Sequence, residues 1–155
     1  ARILSGIGWL NPRLGGPATL ASYGVDIETD TSSFRLFTDA QGAVPQAHLD
    51  YLKNLPLYLE RGGLFFVHAG IAPGVPLQDQ IEDDLVWIRD PFLKYTKPHP
   101  WLVVHGHTAL DFPQHFGNRI DLDGGAGYGR PIIPAVFEGA DCWLLSKGGR
   151  VRLTP

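Results

Sequence analysis

The sequence predicts a mixed α/β or α+β sheet protein, built from many short strands and few helices. Three observations lead there. Short apolar runs recur from residue 57 onward, of the length of short strands. The 19 glycines and 13 prolines punctuate these runs, so the elements are short and the loops many. One stretch, Pro45 to about Asn54, stands out as a helix.

Taken in order, the opening from Gly6 to Gly24 is rich in loop residues, with Ala18-Thr19-Leu20 as a short helix. Thr38 to Gly42 reads as a polar turn. Pro45 suits a first helical position, Leu49 and Leu52 form a short apolar stripe, and Pro56 limits extension of that helix. Leu57-Tyr58-Leu59, Arg61-Gly62-Gly63 and Leu64-Phe65-Phe66-Val67 together read as a β-hairpin whose second strand ends at His68. An acidic-capped helical turn covers Glu82 to Ile88. Trp101 to Val104 is a buried strand running into His105-Gly106-His107. Further strands are predicted over Arg119–Asp123, Ile133–Phe137, Cys142–Leu145 and Arg150–Leu153, the last two joined by a turn at Gly148-Gly149. No linker or repeat interrupts the chain, so residues 1–155 are read as one domain or one piece of a domain.

Composition narrows the function. The chain is 44% hydrophobic and carries a net charge of −3, with lysines and arginines scattered singly. A nucleic-acid partner is therefore not expected. No apolar run approaches the roughly 20 residues that span a bilayer, so no membrane role is expected either. The single cysteine, Cys142, cannot form an internal disulfide, and its apolar neighbours suggest a structural thiol. That suits a reducing compartment, and the cytoplasm is the expected location. The chain has no methionine and begins at Ala1. Initiator removal and truncation both remain open.

Two apolar strands run directly into a histidine flanked by small residues: Leu64-Phe65-Phe66-Val67-His68-Ala69-Gly70 and Trp101-Leu102-Val103-Val104-His105-Gly106-His107-Thr108. A rigid sheet fixes a side chain at a strand end while the loop leaves it open, and neutral imidazole is a common metal ligand. Either histidine alone reads better as a satisfied strand-end residue. Two in the same setting favour a metal site.

The sequence resembles a known family at this point. Val67-His68-Ala69-Gly70-Ile71-Ala72-Pro73-Gly74, Asp84-Leu85-Val86-Trp87-Ile88-Arg89, Val104-His105-Gly106-His107-Thr108 and Ile120-Asp121-Leu122-Asp123-Gly124-Gly125-Ala126-Gly127-Tyr128-Gly129 occur in that order. They are similar to successive motifs of the bacterial and phage-type serine/threonine phosphatases, within the calcineurin-like metallophosphoesterases. Gly15 to Gly24 resembles the segment after that family's third metal motif, and Pro45 to Tyr58 is similar too. The resemblance covers nearly the whole chain. It implies a metallophosphoesterase-like β-sandwich flanked by helices, of which this chain is the C-terminal portion.

Carried over by motif, the resemblance makes His68 and His107 ligands of one divalent metal in a dinuclear site using metal-bound hydroxide. Manganese leads among the metals, with iron or zinc as alternatives. It makes Arg89 the phosphate-binding arginine, since a guanidinium fork matches phosphate oxygens; unaided, Arg89 reads as a surface arginine paired with Asp90. His105 lies beside the site, either as a structural histidine or as a substrate contact. Tyr128 is either a cleft-wall residue or a packing tyrosine. Asp121 and Asp123 read as structural.

The departure is equally specific. The family's first three motifs, Gly-Asp-x-His-Gly, Gly-Asp-x-x-Asp-Arg-Gly and Gly-Asn-His-Glu/Asp, supply the bridging carboxylate, the other metal's ligands and the catalytic histidine. None occurs: the chain has no Gly-Asp pair, and Gly117-Asn118-Arg119 lacks the histidine. Gly124 stands where the family usually has Thr. The expected activity is hydrolysis of phosphate monoesters of the phosphoserine/phosphothreonine type. A missing N-terminal segment or partner chain would have to complete the site, and the chain alone should be poorly active or inactive. Two alternatives stand beside this: a non-catalytic relative that binds a partner or phosphorylated ligand, and a dinucleoside polyphosphate hydrolase.

Overall fold

A computed structural model describes residues 10–11, 14–27 and 32–155. The chain divides into two compact units, residues 1–55 and 56–155.

Among the described residues the first unit holds three α-helices, α1 (Gly16–Ser22), α2 (Ser33–Ala43) and α3 (Gln46–Lys53). Gly15, at φ 75°, turns the chain into α1, and Pro17 supplies a φ already suited to its first turn. The Ser32 hydroxyl accepts from the Arg35 N–H at 3.2 Å and caps α2. Leu20, Val25 and Leu36 form a small buried cluster, with Ala40 and Ala43 of α2 packed against it. Thr38–Gly42 is thus the second half of α2 rather than a turn. The spacing of Leu36, Ala40 and Ala43 gives that helix one apolar face despite its polar sequence. α3 begins one residue after Pro45 and buries no residue; Leu52 of the expected stripe is 62% exposed.

The second unit is two sheets and a helix. The larger sheet has the order β1 (Tyr58–Arg61), β2 (Leu64–Val67), β3 (Leu102–His105), β5 (Arg119–Asp121), β4 (Gln114–His115). β2, β3 and β5 run parallel, with Phe66 opposite Val104 and His105 opposite Asp121, while β1 and β4 pair antiparallel at the edges. The smaller sheet, β6 (Ala135–Glu138), β7 (Asp141–Ser146) and β8 (Gly149–Leu153), is an antiparallel meander.

Strand alternation divides the apolar side chains between two cores. Phe65, Val67 and Val103 pack with Leu85, Ile88 and Phe92 around α4 (Glu82–Trp87). Three acidic residues in its first turn complement the N-terminal end of its dipole. From the opposite face, Ile120 packs with Cys142 and Leu144, and Leu102 and Phe137 border them. The edge of Phe66 meets the ring of Phe137 at 5.5 Å. Cys142 is buried there as a core thiol. Among the described residues, no helix is long and apolar enough to cross a membrane.

Three adjacent parallel strands necessarily end on the same side of a sheet. In open α/β sheets the loops beyond those carboxyl ends are where ligands gather. Here the three ends deliver His68, His105–His107 and Asp121–Asp123.

Candidate metal centre

His68 follows β2 directly, and His107 lies two residues beyond the end of β3. Their loops are joined by a backbone bond from the Gly106 N–H to the His68 carbonyl at 2.9 Å. Gly106 keeps this crossing uncrowded. A Cβ there would lie 3.3 Å from Asp123 Cβ and 3.9 Å from the His68 carbonyl oxygen. Further along the first loop, the Ala69 N–H donates to Leu85 at 2.9 Å, tying this loop to the helix that precedes Arg89.

The two imidazoles converge. His68 Nε2 lies 3.2 Å from His107 Nδ1, with ring centroids 5.0 Å apart. Two nitrogens each about 2.1 Å from one cation lie roughly 3.0 Å apart for octahedral and 3.4 Å for tetrahedral angles. The observed separation falls between them, and it also suits one imidazole–imidazole hydrogen bond in the metal-free protein. The other face of His107 meets the Trp87 ring at 5.4 Å. Its Nε2 is buried without a hydrogen bond of ordinary geometry, although the Trp87 backbone beside the ring favours its proton. A metal-binding histidine characteristically directs its other nitrogen at a backbone carbonyl or carboxylate.

Electrostatics keep His107 neutral. Burial pushes its pKa down, the nearby Arg89 and His68 push the same way, and Asp123 and the Trp87 backbone oppose them. A neutral ring is the form that can give a lone pair to a cation. Arg89 is exposed, and its Nη1 donates to the Thr108 hydroxyl at 3.3 Å. Asp90 pairs instead with Lys94 at 2.8 Å.

His105 sits behind this cluster. Its side chain is wholly buried. Nδ1 lies 3.1 Å from the Gly106 carbonyl, and Nε2 lies 3.2 Å from Arg119 Nη1. Burial, chiefly, drives its pKa down to about 4. Tyr128, on a short 3-10 turn between Gly125 and Gly129, is 78% exposed, so packing does not fix it. Asp121 is buried. Its Oδ1 accepts from the Asp123 N–H at 2.9 Å, and Asp123 Oδ1 accepts from the Gly125 N–H at 2.9 Å. Burial raises the Asp121 pKa to about 6.

Sequence reasoning passed over three contributors. Trp87 was visible only as part of a motif. Thr108 takes the Arg89 guanidinium. Arg119 gave no signal, because its partner His105 lies fourteen residues away and meets it only through strand register. No set of three or more His, Cys, Asp or Glu arranged to hold a metal occurs among the described residues. His68 and His107 thus fit two positions of a metal shell, and among the described residues no third ligand of these types is arranged to complete it.

No family model matches the chain, and no curated protein sequence matches it. A solved structure does. The crystal structure described as "a putative diadenosine tetraphosphatase" superposes with a TM-score of 0.51, covering 94% of this chain and 72% of that one at 20% identity. At that identity the likeness establishes a shared fold. The mixed α/β architecture with two sheets is the fold class that the sequence led us to expect.

Proposed function

We propose that this chain carries part of the active centre of a metal-dependent phosphoesterase. The observation that carries the reading is the 3.2 Å approach of His68 Nε2 to His107 Nδ1 at the carboxyl ends of two adjacent parallel strands. These two residues would hold one divalent metal, with manganese the first candidate and iron or zinc the alternatives. Bound there, a divalent ion would polarise a phosphoryl oxygen and stabilise its developing charge. The chain's own residues supply the rest. Arg89, one loop away and hydrogen-bonded to the neutral Thr108 hydroxyl, offers a charged planar fork to phosphate oxygens. Trp87 walls one side of His107 and limits its motion. Tyr128, exposed on its turn, is placed in the cleft wall by this reading.

The two-histidine half needs carboxylates. This reading takes them from an N-terminal segment or a partner chain bearing the family's first three motifs, which makes residues 1–155 the C-terminal portion of the domain. Its partner is a phosphorylated substrate rather than a nucleic acid or membrane, and its location the cytoplasm.

Phosphate monoesters are the first substrate class. A second class, the phosphoanhydride of a dinucleoside polyphosphate, is supported by the description of the structural neighbour as a tetraphosphatase.

The test has two arms. Titration of this chain with Mn²⁺ or Co²⁺ should show binding that His68→Ala and His107→Ala each reduce by at least about tenfold. Supplied with the upstream motifs, the protein should hydrolyse an aryl phosphate or diadenosine tetraphosphate, and the faster of the two sets the class. If the completed protein is inert toward both with every divalent metal, it is no phosphoesterase.

A further inference from the structure

His107 occupies an unusual turn. It is the one non-glycine residue with positive φ, 66°, among the described residues. The Thr108 N–H donates back across it to the Gly106 carbonyl at 2.7 Å. A bond from residue i+2 to residue i around a central residue of positive φ marks the classic γ-turn, which is rare and strained. Such strain persists only where the surroundings enforce it.

The enforcement is visible on both sides of Gly106. Its N–H is held by the His68 carbonyl. Its carbonyl accepts from Thr108 and also faces His105 Nδ1 at 3.1 Å. A carbonyl oxygen can only accept, so Nδ1 must carry the hydrogen. On the far side of the ring, Arg119 Nη1 stands 3.2 Å from Nε2. A guanidinium can only donate, so Nε2 must be bare. The two neighbours independently select one neutral form of His105.

Arg119 is itself fixed. Its other terminal nitrogen donates to the Leu93 carbonyl at 3.2 Å, and its guanidinium stacks 3.7 Å over the Phe116 ring. A buried arginine is costly to desolvate, and the Coulomb pull of Asp121 offsets part of that. An aliphatic residue would fill the space at lower cost but could not orient the ring.

We propose that His105 and Arg119 are positioning residues: Arg119 locks His105 in its Nδ1–H form, and His105 braces the Gly106 carbonyl that closes the strained turn presenting His107. The consequence for metal affinity rests on the reading of His107 as a ligand, whereas the tautomer and the brace do not.

The experiment uses the ¹⁵N-labelled full chain without metal at neutral pH. Long-range ring correlations should show His105 with Nδ1 protonated and Nε2 bare, and Arg119→Met should weaken that preference to the part the Gly106 carbonyl alone maintains. A protonated Nε2 in the unaltered protein would overturn the proposal. Two replacements then separate bracing from packing. His105→Leu should speed exchange of the Thr108 amide by about tenfold or more, and it should weaken Co²⁺ binding about 10- to 100-fold. His105→Asn, whose amide nitrogen can donate to Gly106, should recover most of both. Equal behaviour of the Leu and Asn variants would overturn bracing. If His105→Leu does not fold, the wild-type tautomer and the Arg119→Met spectrum decide the matter alone. If the tautomer and the Thr108 protection are as expected but the protein takes up no metal, the functional reading fails and the brace stands.

Discussion

Two residues in the histidine loops, His107 and Gly70, make opposite steric demands. His107 keeps a Cβ where the backbone favours none, at φ 66°. Replacing it with glycine removes that conflict, worth on the order of 1 kcal/mol, and also removes a buried, poorly paired ring nitrogen. His107→Gly is therefore expected to abolish metal uptake while leaving the metal-free melting temperature at or above the wild-type value. His107→Ala, which retains the Cβ, should melt lower than His107→Gly. A large fall for the glycine variant would mean that the ring is held for packing rather than for a ligand. Gly70 has the contrary problem. A Cβ there would lie 2.3 Å from Phe92 Cδ1, inside a fully buried ring. Gly70→Ala should cost about 1–3 kcal/mol or more in denaturant unfolding. It should also displace the His68 loop, because Phe92 cannot give way without disturbing the core around α4. The sequence made Gly70 visible only as part of His68-Ala69-Gly70. The reason for it, a phenylalanine twenty-two positions on, is non-local.

Elements were legible where one periodicity dominated. β2 is an unbroken apolar run and β3 is one up to its final His105, so the sequence places both to within a residue. Their histidines could be named because a strand end is a local feature. β4, two residues long, carries no period, and α2 hides its face among polar residues. The buried side of α2 is Leu36 with two alanines, and its start depends on the Ser32 hydroxyl. Ser32→Ala should destabilise the first unit by about 1 kcal/mol. The loss should appear in helical circular dichroism and in amide exchange of α2, with no change in the His105 tautomer. A changed tautomer would mean that Ser32 does more than cap α2. The pairing of His105 with Arg119 was illegible for a different reason. It follows from the β3–β5 register, His105 opposite Asp121, and register is decided by the burial of whole strands. A buried arginine on a strand otherwise looks like an ordinary charged residue.

At the scale of the whole molecule, the buried ionisable groups set how stability responds to acid. His99, His105, His107 and His115 all have pKa values below the usual 6.5, burial being the first cause in each. For such a group the unfolded chain binds the proton more readily than the folded one. Its stability is complete above pH 6.5 and is lost as pH falls toward the folded value, about 4 for His105. Asp121 works with the opposite sign. Its folded pKa is raised from 3.8 to about 6, so the folded state takes up a proton that the unfolded state lacks between those values. The burden of its buried charge is present above pH 6 and disappears as pH falls toward 3.8. Between about pH 4 and 6 the two changes nearly cancel, and folding amounts to moving a proton from His105 to Asp121. Asp121→Asn keeps an oxygen to accept the Asp123 N–H but removes the compensating group. In the metal-free protein, urea unfolding at pH 7 and pH 4.5 should therefore show a larger acid loss in the variant than in the wild type. The excess should be about 2 kcal/mol, the worth of the 1.5 pH units over which Asp121 no longer offsets His105. Parallel losses in the two proteins would show that the carboxyl is charged in the fold throughout this range. The burial of β5, which places Asp121 opposite His105, would then have no part in acid resistance.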